Sequence, residues 1–581
     1  VRAAFRSSAE GSGNATAGAA RAPVLLLSGP GVFAVQARAT IRHEIVKLSI
    51  LSTTLIFVLL IGVYRSLPAL LLGFLPVVSG ALAGVAAVSL GFGAVHGITL
   101  GFGVTLIGES VDYSIYLFVQ SRRAADLRAT LWPTILLGVL TSIAGFASLL
   151  PSAFPGLAQL GLYSISGLIV AALVTRFVLP ELLPEHLRIR DLSALGTRIG
   201  GLLQPLQARR AWLLAVPLLA AAVLYAHRHS LWNRELSGLS PVSAQDQALD
   251  TLLRTDLGAP DARYIVAVTG RDQESVLRSS EQISRTLSEL AEQGVIGGFE
   301  SPSNFLPSHA TQQMRRASLP AAAQLRGNLQ MALDGLPLRA ERLEPFIRDV
   351  DAARQQADLT LADLKGTSLA TGSDALLLRA GARWSALLPL RAPGAVDIDV
   401  SGVHAALAKA GASDAVVLDV KREADTLYST YLNEVLKLSA GGLMAIVLLL
   451  LLALRSPLRA VRVVAPLLLA VAAVAAALVL FGERMTILHI VGMLLIVAVG
   501  SNYALFFDRG SHSAASGLVP LTLASLVVAN AATVVGFGVL AFSAVPVLSA
   551  LGTTVAPGAL LALLFSGLLS EALPAPVRAT V

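Results

Sequence analysis

The 581-residue chain has no cysteine, which excludes disulfides, thiolate chemistry and Cys-ligated metals. Charge is also scarce. Only 14% of residues are Asp, Glu, Lys or Arg, where a soluble domain carries about 25%. With 55% hydrophobic residues, such a chain cannot cover itself against water, so much of it must face lipid. Aromatic residues make up only 6%, and none interleave with a basic patch, so the net charge of +7 is not a nucleic-acid footprint. The chain has no G-x-x-x-x-G-K-[ST] loop for nucleotide phosphates. It also shows no recognisable nucleophile–base or metal-ligand set, so neither an enzyme nor a cofactor is expected.

What is present is long apolar runs. Segments able to cross roughly 30 Å of hydrocarbon fall at 45–64, 67–90, 97–119, 131–150 and 157–180, then at 211–227. Five more follow at 434–454, 458–481, 485–507, 517–541 and 547–573, giving eleven expected spans in two blocks. The basic residues fall in loops on one side: Arg65; Arg122, Arg123 and Arg128; Arg188, Arg190, Arg198, Arg209 and Arg210; Arg455, Arg459, Arg462, Arg509 and Arg578. The positive-inside rule makes that side cytoplasmic and 228–433 extracytoplasmic. This points to a multi-pass protein of a bacterial inner membrane with its large loop in the periplasm.

The chain repeats itself. "EIVKLS" at Glu44, Lys47, Leu48 and Ser49 returns 390 residues later as "EVLKLS" at Glu434, Lys437, Leu438 and Ser439. At the same offset Arg65-Ser66 matches Arg455-Ser456, Pro76 matches Pro466, and Tyr113 matches Tyr503. With one extra residue the register continues through Gly145-Phe146 and Gly536-Phe537, Pro155 and Pro546, and Gly167 and Gly558. A shared register of Pro, Gly, Arg and Tyr across five helices marks a duplicated membrane unit. Both blocks begin on the outer side, so the repeats are parallel, with their axis along the membrane normal.

The expected organisation follows. Residues 1–43 end a first periplasmic domain, with "PVLLLSG" as a strand equivalent to "AVVLDV". Residues 44–183 are the first five-helix block. Residues 184–210 are a cytoplasmic linker with an amphipathic helix near "RIRDLSALGTRIGG", and 211–227 is the helix opening the second repeat. Residues 228–433 form a second, α+β periplasmic domain, 434–574 the second block and 575–581 a cytoplasmic tail. By symmetry the native product is expected to have about 180 further N-terminal residues, including a twelfth span. Within 228–433, "RYIVAV" and "RWSALLPL" read as strands. "ESVLRSSEQISRTLSELAEQG", "MRRASLPAAAQLRGNLQMALDG" and "ERLEPFIRDVDAARQQA" read as helices, the first with Val276, Ile283, Leu287 and Leu290 on one face.

Ionisable residues inside a span are costly and are functional candidates by default. The third run, "GITLGFGVTLIGESVDYSIYLFVQ", carries Asp112 roughly 10 Å inside the span end. Glu109 lies on nearly the same face, with Ser110 between them and Tyr113 directly after. A carboxyl group withdrawn from water favours its neutral form and can exchange a proton near neutral pH. Gly101, Gly103 and Gly108 allow another helix to approach. The repeat mate of Asp112-Tyr113 is Asn502-Tyr503, and the two pairs are expected to meet near the pseudo-twofold axis. Asn530 and Thr533 of the second block, and Thr141 and Ser142 of the first, are supporting polar groups. For these hydroxyls a bond to their own helix backbone is the competing reading.

The Gly-rich Asp-Tyr helix, the "TSIAGF" and "ATVVGF" helices, the two blocks and the large outer loop together resemble the mycobacterial-membrane-protein-large-like branch of the RND superfamily. The resemblance implies a polytopic helical fold with porter-like outer domains, and a proton relay through Asp-Tyr pairs on the fourth and tenth spans of the intact fold. Asp112-Tyr113 fits the first pair. Asn502-Tyr503 departs from the second, because Asn cannot titrate, and Glu109 is the candidate replacement. "FESPSNFLPSHATQQMRRASLP" looks like predicted exporters associated with aryl polyene and xanthomonadin pigment clusters. The implied function is proton-driven export of a hydrophobic, lipid-like or acyl/aryl-polyene cargo. The partners would be protons, membrane lipids, and either a second copy of the chain or a periplasmic carrier. The alternative is a non-transporting accessory of the same architecture, such as a translocase subunit or sterol-sensing scaffold.

Overall fold

The computed structural model describes residues 25–120, 132–182, 190–257, 263–394, 396–511 and 520–570. Arg122, Arg123, Arg128, Arg188 and Arg578, residues 1–24 and the tail 575–581 lie outside them. Contacts divide the chain into a helical unit, Val1–Ser243 with Asp425–Val581, and a sheet-containing unit, Ala244–Ala424.

The helical unit opens with α1 (Pro30–Tyr64), α2 (Leu67–Phe92), α3 (Gly97–Gln120), α4 (Trp132–Ala147) and α5 (Pro155–Leu173). Then come α6 (Ser193–Ala208) and α7 (Ala215–Ala226). The helices start where proline can take the first turn, as at Pro30 and Pro155, since those amides have no helical acceptor. α1 starts earlier than 44 because "VFAVQARATIRHE" continues the helix with polar residues, which an apolar-run reading passes over. Of the "PVLLLSG" segment, the described residues 25–29 carry no strand, and residues 23–24 lie outside the described residues.

The sheet unit builds a five-stranded sheet from β1 (Tyr264–Gly270), β2 (Gly298–Phe299), β3 (Leu377–Ala380), β4 (Arg383–Arg391) and β5 (Val416–Asp419). Its order is β2-β4-β1-β5, with β3 also on β4. The pairs are antiparallel; Ile265 faces Pro389 and Tyr264 faces Asp419. α8 (Gln273–Glu292), capped by Asp272, buries Val276, Ile283, Leu287 and Leu290 against the sheet, the face read from the sequence. α9 (Val400–Lys409) follows and packs on α8 and β5. The segment read as one helix from "MRRASLP" divides into His309–Ser318 and Ala322–Ala332. Pro320 has no amide and disfavours a helical Leu319.

The chain returns to the helical unit through α10 (Val420–Leu454), α11 (Pro457–Leu480), α12 (Ile487–Ser511), α13 (Pro520–Leu540) and α14 (Pro546–Leu569). Among the described residues nine helices are long and apolar enough to span a bilayer. α6 and Arg210–Ala226 pass the test together but bend by 72°, and α4 is a shorter apolar helix. These account for all eleven expected runs. The protein is a multi-pass helical membrane protein.

The duplication reaches backbone detail. Arg65 and Arg455 are the only non-glycine residues with positive φ among those described, at 53° and 50°. Each is followed by an extended serine, Ser66 and Ser456, that opens the next helix. α2 packs on α5 as α11 packs on α14, within their own repeats. α3 packs on α13 and α4 on α12, so the central helices exchange partners between repeats. At one end of the bundle, Glu44 Oε2 accepts from the Ala544 amide at 3.0 Å, and Glu434 Oε1 accepts from the Ala153 amide at 2.7 Å. In register Ala153 corresponds to Ala544, so this is one contact made twice, and it puts the starts of α1 and α10 on the same side. The repeats are therefore parallel.

Candidate functional site

The site lies where α3 and α12 cross each other's partner helices. α3 is amphipathic only in a small sense: Glu109, Ser110, Asp112 and Tyr113 form a polar patch in an otherwise apolar helix, and all four are buried. α13 approaches here because Gly108 faces Gly536. A Cβ on Gly108 would meet Thr533 Cα at 3.2 Å, tighter than ordinary packing. Gly101 and Gly103 serve other contacts, against Leu548 of α14 and Tyr163 of α5.

That close approach delivers Thr533 to the carboxylate. Thr533 donates to Asp112 Oδ2 at 3.3 Å, and Tyr503 donates to Thr533 Oγ1 at 3.3 Å. The result is a hydroxyl chain from α12 through α13 to α3, joining the two repeats. Asn530 is turned to α14, where it donates to the Ala559 carbonyl at 2.8 Å. Thr141 reaches its own-helix carbonyl of Gly138 at 2.7 Å, and its hydroxyl lies 2.6 Å from that of Ser501.

Several buried polar atoms have no hydrogen-bond partner among the described residues: Glu109 Oε1, Ser110 Oγ, Asp112 Oδ1, Tyr113 OH, Ser142 Oγ and Asn502 Nδ2. An unpartnered buried polar atom costs about 1–3 kcal/mol, so these groups mark α3 and its neighbours as a polar site inside the helical unit. The hydroxyl chain from Tyr503 through Thr533 to Asp112 runs in one donor direction.

Asn502 sits on the other side of the axis against α4. A Cβ on Gly138 would meet its Oδ1 at 1.5 Å, so the carboxamide occupies the space a side chain would take. In register Ser142 is the mate of Thr533 and Asn502 the mate of Asp112.

Sequence reasoning missed three features. Tyr116 is buried one turn beyond Asp112, with its ring 4.8 Å from that of Phe506; its spacing on the same face was the available signal. Asp508, buried at the end of α12, pairs with Arg459, and nothing in the local sequence announces that pair. Glu44 and Glu434 were visible as matched letters without any sign of what they touch.

No protein-family model matches the chain, and no curated protein matches it. Among solved structures it is similar to SecDF, a translocon-associated membrane protein from Thermus thermophilus, with a TM-score of 0.48 and 14% identity. The match covers 91% of this chain, which spans 61% of the length of SecDF.

Proposed function

We propose that the protein is a secondary transporter of the RND type, in which protons bound at Asp112 drive export of a hydrophobic or lipid-like cargo. The observation that supports this reading is Asp112 itself. It is a fully buried carboxyl group between the repeats, hydrogen-bonded through Thr533 to a tyrosine of the opposite repeat. A group placed there changes charge where the two repeats meet, so its protonation biases how they pack. Glu109, beside it on α3, is the candidate second carboxylate in place of Asn502. On this reading the protein is a carrier rather than an enzyme. The arginine-rich loops face the cytoplasm, the sheet unit lies in the periplasm, and an acyl or aryl-polyene compound is the cargo class.

The test is cargo export under an imposed pH gradient at normal expression. Asp112→Asn keeps shape and hydrogen-bonding capacity but cannot release a proton, so the variant should insert normally and stop exporting. Gradient-dependent export at the wild-type rate would remove Asp112 from the mechanism and leave the accessory reading.

A further inference from the structure

A polar cavity of about 300 Å³ opens at the same end of the helical unit as the Glu44 and Glu434 contacts. Its lining includes Asn233, Glu483, Arg484, His489, Ser549 and Thr553, and it has room for several waters. His489, buried at 4% exposure, borders it. The Thr486 amide donates to His489 Nδ1 at 3.0 Å, so the ring proton of the neutral form is on Nε2. Glu483 and Arg484 are the charged groups of the lining. α14 contributes only Ser549, Thr553 and uncharged neighbours, and Tyr428 OH meets the Ile487 amide nearby at 3.4 Å.

The duplication provides an internal control. In register, His489 corresponds to Thr99 and Ala550 to Gln159. In the first repeat this space is plugged. Gln159 is buried and accepts from Thr99 Oγ1 at 3.2 Å and from the His96 amide at 3.0 Å, and it donates to the Ala94 carbonyl at 2.9 Å. In the second repeat alanine replaces that glutamine, and the space is open. Alanine at 550 therefore leaves room that glutamine fills at the matched position of the first repeat.

Below the cavity a polar trail leads inward. Thr554 packs on Gly492, one turn down α12 from His489. Asn530 holds the Ala559 carbonyl further down α14 and stands beside Tyr503, the start of the hydroxyl chain to Asp112. Between Thr554 and Asn530 the way is shut, because Ile496 packs directly on Gly558. A mouth that is open outside and shut inside is what alternating access requires of an entry path, since a continuous water column would leak protons.

We propose that this cavity is the mouth through which protons from the arginine-poor side reach Asp112, with His489 as the group at its floor. The proposal rests on the reading of Asp112 as the proton site. The test is hydrogen–deuterium exchange of the Asp112 carboxyl group, followed by infrared spectroscopy. The full chain is placed in proteoliposomes with the arginine-poor face to the bath, and D₂O is the probe. The carboxyl band is assigned by its loss in Asp112→Asn. Ala550→Gln gives the second repeat the plug of the first and should slow the exchange at least tenfold, as should Ser549→Leu, which narrows the mouth differently. His489→Phe should slow it as well. Exchange at the wild-type rate in folded Ala550→Gln and Ser549→Leu, with the Asp112 band present, would overturn the mouth alone. A wild-type carboxyl band that survives Asp112→Asn would overturn the reading of Asp112 first, and the mouth with it.

Discussion

A buried amide can be as informative as a buried acid. Asn502 fills the space left by the missing side chain of Gly138, and its Nδ2 finds no partner among the described residues. Gly138→Ala therefore meets a flexible side-chain end rather than backbone. We expect the variant to fold with Asn502 displaced, and export to fall several-fold, because the polar cluster is re-sorted. Wild-type export with an unmoved Asn502 would contradict this.

In the sheet unit, Arg263 bridges Asp419 and Asp397, with hydrogen bonds of 2.7–3.2 Å. Partial burial pushes the Asp419 carboxyl upward, but Arg263 and the Arg422 and Lys421 amides outweigh that and hold it below the usual range. Arg263 likewise holds Asp397 below the usual range. Groups with lowered values contribute stability that is present above the unfolded value, about 3.9, and lost as pH falls through the folded value. The β1–β5 amides should therefore lose exchange protection on acidification below about pH 4. In Arg263→Gln that loss should be smaller, starting from lower protection. Equal acid sensitivity of the two proteins would refute the role of Arg263.

At the scale of elements, what was legible in the sequence is what repeats along the chain. The eleven apolar runs, the α8 face and the β1 and β4 strands all follow from periodicity that each segment carries by itself. What was not legible depends on partners distant in the chain. "AVVLDV" forms β5 because β1 offers it an edge, whereas the described part of the similar "PVLLLSG" carries no strand. The letters of Glu44 and Glu434 aligned, yet each finds its acceptor role on a loop of the other repeat. This crossing yields a specific expectation. Glu44→Ala should remove exchange protection from the Ala544 amide, and Glu434→Ala from Ala153, each costing about 0.5–1.5 kcal/mol as a hydrogen bond is lost. If protection changed only within the mutated repeat, the crossed contact would be refuted.

At the scale of the whole molecule, duplication supplies two positions equivalent in register, of which one holds a carboxylate. Asp112 sits on α3 against Thr533 of α13; Asn502 sits on α12 against Gly138 of α4. Tyr113 and Tyr503 follow the two seats, and both are buried. The seats differ in their neighbours. The first has Glu109 one turn away on the same face, where the second has Val499. The first also has a donor chain reaching Tyr503 through Thr533. Moving the acid across the axis, as Asp112→Asn with Asn502→Asp, keeps the number of carboxylates and places one on the opposite repeat. If the axis matters more than the local neighbours, the double variant should recover part of the export that Asp112→Asn loses, with Asn502→Asp alone retaining activity. The recovered rate should stay below wild type, because the second seat lacks both the ordered hydroxyl chain and the nearby glutamate. Export rates of the four proteins under one imposed gradient decide it. A double variant as inactive as Asp112→Asn, yet equally well inserted, would show that the relay depends on the neighbours of Asp112 and not on the symmetry that created its seat.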